Sequence, residues 1–494
     1  MSLLPEVKKH YGKNKHYIGG EWVEPKSGDV KENTNPATGE VISELYRASD
    51  DEAREAVQAA ADAFLTWQDY PMRDRAALLF DMRAKFEENF DELTRVLTQD
   101  HGRTIGESEG SVRRVIENIE SACSALYGMA KQNESMMQLA RGIDQYLHWE
   151  PLGPFLIITP GNIPMHAWSS FVPYALGAGC PVVVSPSSQD PVAAEYVCKA
   201  AEEVGFPPGV INMVHGGREI NNKILKEPEI KGVGFIGSNN VGHELFELCG
   251  KLRKTSSING NGKNHVVIMP DANVDEVAQW LLRSCFGMGG QRCLGSDNII
   301  ILGDIYEEVK KKLKEVASGV KLGYGLDKET DLGPMATKAG KDKVVQWIDD
   351  ALNEGAKMVL DGRDVDVKGY PNDNFLAPTI LEDVHVDMET AKEEAFGPVA
   401  GLIKGESLDQ AIDWINTKTY MGHSACIFTN NGKYARKFTK EVNVGNVGVN
   451  LGVPQPFAFF PLGSRRDSFV GTSKSRMASM RMFMDEKTVC TRWI

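Results

Sequence analysis

Two periodicities divide this chain. Over residues 49–131 apolar side chains recur every three or four positions among charged ones, which predicts amphipathic helices. The stretch opens on Ser49-Asp50-Asp51-Glu52, the spacing of a capping box. From residue 155 the pattern changes to short β-branched runs at 155–158, 180–184 and 211–214, separated by helical stretches at 168–178 and 191–204. Such alternation predicts a parallel sheet covered by helices, in which ligands bind where strands end and loops begin. Smaller elements come first: a hairpin at 17–22, a turn at 35–39 and a strand at 40–45. Residues 139–150 predict another hairpin. Later, helices at 306–318 and 341–353 alternate with strands in a second α/β unit, and 482–493 reads as a final strand. The aromatic and apolar residues of 444–494 predict subunit packing.

This pattern directs attention to the loops. Residues 271–286 predict a helix capped by Asp271 or Asn273, with Val274, Val277, Leu281 and Leu282 on one face. Gly287, Gly289 and Gly290 end it, and the apolar run 298–302 predicts a buried strand. Cys293 therefore sits on a glycine-bounded link between helix and strand, where a side chain can project into a cleft. Arg292 beside it favours the thiolate, the nucleophilic form; the competing reading is a buried structural cysteine. Residues 159–164 follow a strand and hold Asn162 between two prolines that fix the backbone. Gly232, Gly234 and Gly237 match GxGxxG, yet the first two fall inside a strand and no acidic residue follows about 20 positions on. What remains is 237–242, a strand-to-helix turn in which Ser238 caps a helix whose N-terminus can face a pyrophosphate. Residues 259–265 read as a flexible turn into a strand at 266–269. Glu393 and Glu394 precede Phe396 at a helix end, and Arg113 and Arg114 share a helix whose plain reading is a solvated charged face.

Composition narrows the class. At 494 residues the chain is long enough for about three domains. A formal charge of -13 gives no general attraction for nucleic acid or anionic membrane. No apolar run approaches the roughly 18 residues that span a bilayer, and the first residues lack the apolar core of a signal peptide. A cytoplasmic protein is expected. The eight cysteines are scattered without a CxxC pair, so reduced thiols and no metal site are expected.

Five loops, in order, resemble those of the aldehyde dehydrogenase superfamily: TPxNxP at 159–164, GSxxxG at 237–242, an ExGGK-like loop at 259–263, GQxC at 290–293 and ExFGP at 394–398. Within it, KNHxxxMPDA at 263–272, GQRC at 290–293 and, with one extra residue, GSRxSF at 463–469 are similar to the CoA-acylating methylmalonate semialdehyde dehydrogenases. The resemblance implies an α/β fold with a Rossmann-like dinucleotide-binding domain over 1–129 and 151–261 and a catalytic domain over 262–460. An oligomerisation region over 130–150 and 461–494 would build a homo-oligomer, a dimer or tetramer.

It also implies a chemistry. Cys293 would attack an aldehyde carbon, and the oxyanion would be held by the Asn162 amide and the Cys293 N–H. Hydride would pass to NAD or NADP, contacted by Thr159, Pro160, Gly237, Ser238, Gly242, Glu394 and Phe396. The resulting thioester needs an acceptor. Where hydrolytic relatives carry a glutamate base, this chain has Asn259, which favours release to coenzyme A, a thiol that ionises more readily than water. Arg114 and Arg292 match arginines that pair with a substrate carboxylate, so a malonate-type semialdehyde would fit, losing carbon dioxide to yield an acyl-CoA. The cofactor strand departs from the family's pattern, with Ser185 and Ser188 in place of a lysine and a glutamate; losing the glutamate removes repulsion towards a 2′-phosphate. Gly161 replaces a bulky aromatic and is expected to open the pocket near Asn162. Two other readings are hydrolytic oxidation to a free acid and a non-catalytic binding or structural protein on the same fold.

Overall fold

The computed structural model of the protein describes residues 2–130, 135–370 and 373–493. Its frame is two largely parallel sheets. The first has the strand order Glu21–Val23, His16–Ile18, Ile211–Met213, Val182–Ser185, Phe155–Ile158, Gly232–Ile236, Thr255–Asn259 and Phe469–Gly471. The five inner strands from Ile211–Met213 to Thr255–Asn259 run parallel, and the flanking ones are antiparallel. These inner strands are apolar on both faces because helices cover both. Chain order reverses between Phe155–Ile158 and Gly232–Ile236, which pair from Gly232 beside Phe155 to Phe235 beside Ile158. Such a reversal sends the following loops to opposite sides and leaves a crevice at the strand ends. The 159–164 and 237–242 loops lie there.

The second sheet runs Lys357–Leu360, Thr379–Glu382, Val399–Gly405, Asn298–Leu302, His265–Ile268, Ser424–Phe428 and Asn446–Val449. Only Lys357–Leu360 is antiparallel to its neighbour. A third, three-stranded sheet joins the predicted hairpin, Ser135–Ala140 and Ile143–Pro151, to the final strand Met484–Arg492. Residues 131–134 of the expected oligomerisation segment lie outside the described residues. The 461–494 segment is divided: Phe469–Gly471 extends the first sheet beside Thr255–Asn259, and Met484–Arg492 belongs to the third.

Local signals set several boundaries. The capping box forms, with the Ser49 N–H donating to Glu52 Oε2 at 2.8 Å and the Glu52 N–H to Ser49 Oγ at 3.3 Å. The helix expected at 168–178 is two, Pro164–Ser169 and Val172–Ala178, each with a proline in its first turn, where a missing N–H costs nothing. The helix expected at 271–286 remains α-helical only over Val274–Leu281. Asn273 caps it, accepting from the N–H groups of Asp275 and Glu276, while Asp271 accepts instead from Thr429 Oγ1 at 2.9 Å. The backbone then widens into a π turn over Leu282–Phe286 and tightens over Gly287–Gly290, with Met288 at φ 56° and Gly290 at φ 67°. Gly290 needs its missing side chain: a Cβ there would lie 1.8 Å from the Gly397 carbonyl oxygen. This distortion seats the Cys293 loop against the 394–398 loop.

Candidate active site

Two cavities meet in the crevice. The larger, about 730 Å³, is lined by Asn162, Gln291, Cys293, Glu394 and Phe396. The smaller, about 270 Å³, is lined by Thr159, Pro160, Ser187 and Ser188. Gly237 and Ser238 line both. Nine of the expected site residues are thus brought to one crevice from loops distant in sequence.

Ser185 and Gly242 line neither cavity. Ser185 ends its strand buried, its hydroxyl without a hydrogen-bond partner. Gly242 acts by close approach, since a Cβ there would meet Ile258 Cγ2 at 2.7 Å. Ser238 caps the 14-residue helix Asn239–Leu252 without a side-chain bond to the helix, so its hydroxyl remains for a ligand at the helix's positive end.

Asn261 connects this helix to the larger cavity. It accepts from the Asn239 N–H at 2.7 Å through Oδ1, and its amide donates to Glu394 Oε2. Burial raises the Glu394 carboxyl to about 8, against the opposing pull of the Asn261 and Gly262 bonds. By its composition this loop is a flexible turn; only tertiary pairing reveals Asn261.

Cys293 is partly exposed, but its thiol is enclosed enough that burial, followed by the Glu394 carboxylate, pushes it up to about 12. The N–H groups of Cys293 and Leu294 and the charge of Arg476 pull it down. Arg292, expected to favour the thiolate, turns away: its Nη2 lies 3.3 Å from Glu107 Oε1, and it lines a separate cavity of about 830 Å³ with Arg283 and Phe286. Glu107 Oε1 also accepts from the Met288 N–H at 2.6 Å, which ties the turn before Cys293 to the helix Ile105–Ala130.

Asn162 is braced on both sides. Its Nδ2 donates to the Gln291 carbonyl at 2.9 Å, and its own carbonyl accepts from the buried Arg103, which also donates to Ser111 Oγ at 2.9 Å. Gly161 does not leave the expected open space, because Gln189 fills it; a Cβ on Gly161 would lie 2.3 Å from Gln189 Oε1.

Arg476 is the cation that sequence reading missed. It is fully buried at φ 64°, donates from Nη1 to the Pro456 carbonyl at 2.7 Å, and meets His166 Nε2 through Nη2 at 3.1 Å. Arg114 lies nearby: its guanidinium is 5.2 Å from the Phe457 ring centroid, and the Phe457 carbonyl accepts from Arg476 at 3.3 Å. Glu117 pairs with Arg114 at 2.6 Å. Nothing in the sequence around Arg476 marks it.

Asn259 is buried at the end of Thr255–Asn259, and neither of its amide atoms has a hydrogen-bond partner. Lys263 is structural, donating to Asp297 Oδ2 at 2.9 Å and the Thr390 carbonyl at 3.0 Å. Among the described residues, Glu394 is the only carboxylate that lines the Cys293 cavity.

A cleft thiol, a flanking amide and a helix N-terminus on a doubly wound sheet make a crevice suited to thiol chemistry beside a dinucleotide-sized ligand. The aldehyde dehydrogenase family model matches residues 22–489, and the chain belongs to that family. Malonate-semialdehyde dehydrogenase 2 of Geobacillus kaustophilus (strain HTA426) is 36% identical to it over 480 residues, 97% of this chain and 98% of its own. The acylating, mitochondrial methylmalonate-semialdehyde dehydrogenase of Arabidopsis thaliana is 36% identical over 479 residues, 96% of this chain and 78% of its own. A solved structure from Sinorhizobium meliloti 1021, complexed with NAD, matches with a TM-score of 0.95 at 30% identity, covering 98% of each chain.

Proposed function

We propose that the protein oxidises a short semialdehyde of the malonate or methylmalonate type, with NAD or NADP as hydride acceptor, through a Cys293 thioester passed to coenzyme A. The observation that carries this reading is Asn259. It stands where hydrolytic relatives place a general base, and an amide cannot take a proton from water at neutral pH. A thiol acceptor needs that base far less. The names of the relatives agree.

In this reading Cys293 attacks the aldehyde carbon as a thiolate. The Asn162 Nδ2 and the Cys293 N–H hold the resulting oxyanion, and Arg103 and the Gln291 carbonyl keep Asn162 in place. Thr159, Pro160, Ser188, Gly237 and Ser238 hold the adenosine and pyrophosphate portions of the dinucleotide, with Ser185 and Gly242 supporting them. Glu394 and Phe396 hold its nicotinamide end. A bound nicotinamide supplies the acceptor for the departing hydride. The malonyl-type group left on sulfur loses its carboxylate as carbon dioxide, the carbanion that remains takes a proton, and the shortened thioester is then attacked by the thiol of coenzyme A, with Cys293 leaving as thiolate. Arg114, packed on the Phe457 ring and close to Arg476, receives the substrate carboxylate; Arg292, engaged by Glu107, orders the Cys293 loop and the outer cavity.

Hydrolysis is the second reading, because Glu394 lines the same cavity with a carboxyl raised to about 8 and can accept a proton from water. A non-catalytic role is disfavoured by the convergence of Cys293, Asn162 and Glu394. The assembly is a cytoplasmic homo-oligomer, a dimer or tetramer, built through the three-stranded sheet, where Met136, Met137, Leu139 and Trp493 are exposed. No helix among the described residues is long and apolar enough to cross a membrane.

Mass spectrometry tests the covalent step. Enzyme mixed with semialdehyde and dinucleotide without CoA should carry an acyl group on Cys293, which CoA discharges as acyl-CoA. An adduct discharged by water alone would favour hydrolysis.

A further inference from the structure

The adenosine end of the crevice carries a discrimination of its own, and this inference rests on the reading that a dinucleotide lies there. We infer that the 270 Å³ cavity accepts an adenosine ribose bearing a 2′-phosphate, held by Arg47, Ser187 and Ser188, so that NADP is used in preference to NAD.

Three observations support it. First, among the described residues, no carboxylate lines this cavity. Sites that select NAD place an acid where it bonds the ribose hydroxyls and repels a phosphate; here Ser187 and Ser188 occupy that loop. Second, the cavity has a cation. Arg47 follows the strand Val41–Tyr46 and lines the cavity with Gly217, from whose position a Cβ would lie 3.9 Å from Arg47 Nε. Its partner Asp29, at 3.4 Å, is more than half exposed, as Arg47 is, so the pair is weak and exchangeable for a doubly charged phosphate. Third, the lining contains a buried polar group without a hydrogen-bond partner, Oδ1 of Asn221, which suits a polar ligand rather than an apolar one. Arg218, which follows the lining residue Gly217, pairs with Glu244 at 2.6 Å.

Calorimetric titration of the full chain with 5′-AMP and with 2′,5′-ADP isolates this contact from catalysis. The wild type should bind 2′,5′-ADP about tenfold or more tightly than 5′-AMP. Both Arg47→Gln and Ser188→Glu should erase that difference. If 5′-AMP binds and the 2′-phosphate adds nothing, the inference is overturned while the nucleotide site stands. If neither ligand binds, the inference and the cofactor reading fall together. A tenfold preference that survives in Arg47→Gln would overturn the assignment to Arg47.

Discussion

Asn239 and Asn261 bind each other twice: the Asn239 N–H donates to Asn261 Oδ1 at 2.7 Å, and the Asn261 N–H donates to Asn239 Oδ1 at 2.8 Å. Because the Asn261 amide also reaches Glu394, the helix N-terminus at Ser238 and the wall of the Cys293 cavity form one hydrogen-bonded unit. Asn261→Ala removes the link to Glu394 and one half of the clasp. The KM for the dinucleotide should rise by about tenfold and kcat should fall, on the basis of about 1–3 kcal/mol for buried polar groups left unpaired. Steady-state kinetics with varied dinucleotide measure both effects. Unchanged KM and kcat would show that the clasp has no part in positioning.

The Cys293 thiol feels opposite charges from Glu394 and Arg476. A nearby carboxylate disfavours the thiolate and a nearby guanidinium favours it. The pH midpoint of alkylation by iodoacetamide should therefore fall in Glu394→Gln and rise in Arg476→Gln. Arg292→Gln should leave it in place, since that guanidinium is turned to Glu107. A midpoint that moves in Arg292→Gln alone would return Arg292 to the role its sequence position suggested.

Carboxylate recognition separates the arginines in a second way. Arg114→Gln should raise KM for malonate semialdehyde by about 10- to 100-fold, the worth of a charge-assisted contact, and change that for propanal little. Equal losses on both aldehydes would mean that Arg114 supports the fold rather than the substrate.

Acid should destabilise the protein through its buried imidazoles. Burial lowers His215 and His265 to about 3 and His423 to about 4. Their depressed values mean that the unfolded chain binds protons first, near 6.5, so stability is full above that pH. It should fall as pH drops from about 6.5 towards 4, by up to about 1.4 kcal/mol per pH unit for each histidine. Urea midpoints across this range measure the slope. A flat profile would contradict neutral burial.

Much of this site was legible because its loops announce themselves locally. Glycines bound Cys293, prolines fix Asn162, and the β-branched runs gave the strands at the crevice within a residue or two. The rest depends on distant partners. Arg476 and Arg103 sit in stretches that look like ordinary charged surface, and only packing buries them beside Phe457 and Asn162. Gly161 suggested an opening, but whether another side chain would fill it depended on where Gln189 folded. The helix expected through 286 leaves its α form after Leu281, and the Gly290 that follows packs against the Gly397 carbonyl, a contact no local periodicity records.

The central claim, release of the Cys293 acyl group to coenzyme A because Asn259 cannot activate water, is tested most directly by following reduced dinucleotide with malonate semialdehyde, with and without CoA, and identifying the product. The account predicts sustained turnover only with CoA, yielding acetyl-CoA, and a single burst without it. Sustained turnover to a free acid without CoA would contradict it.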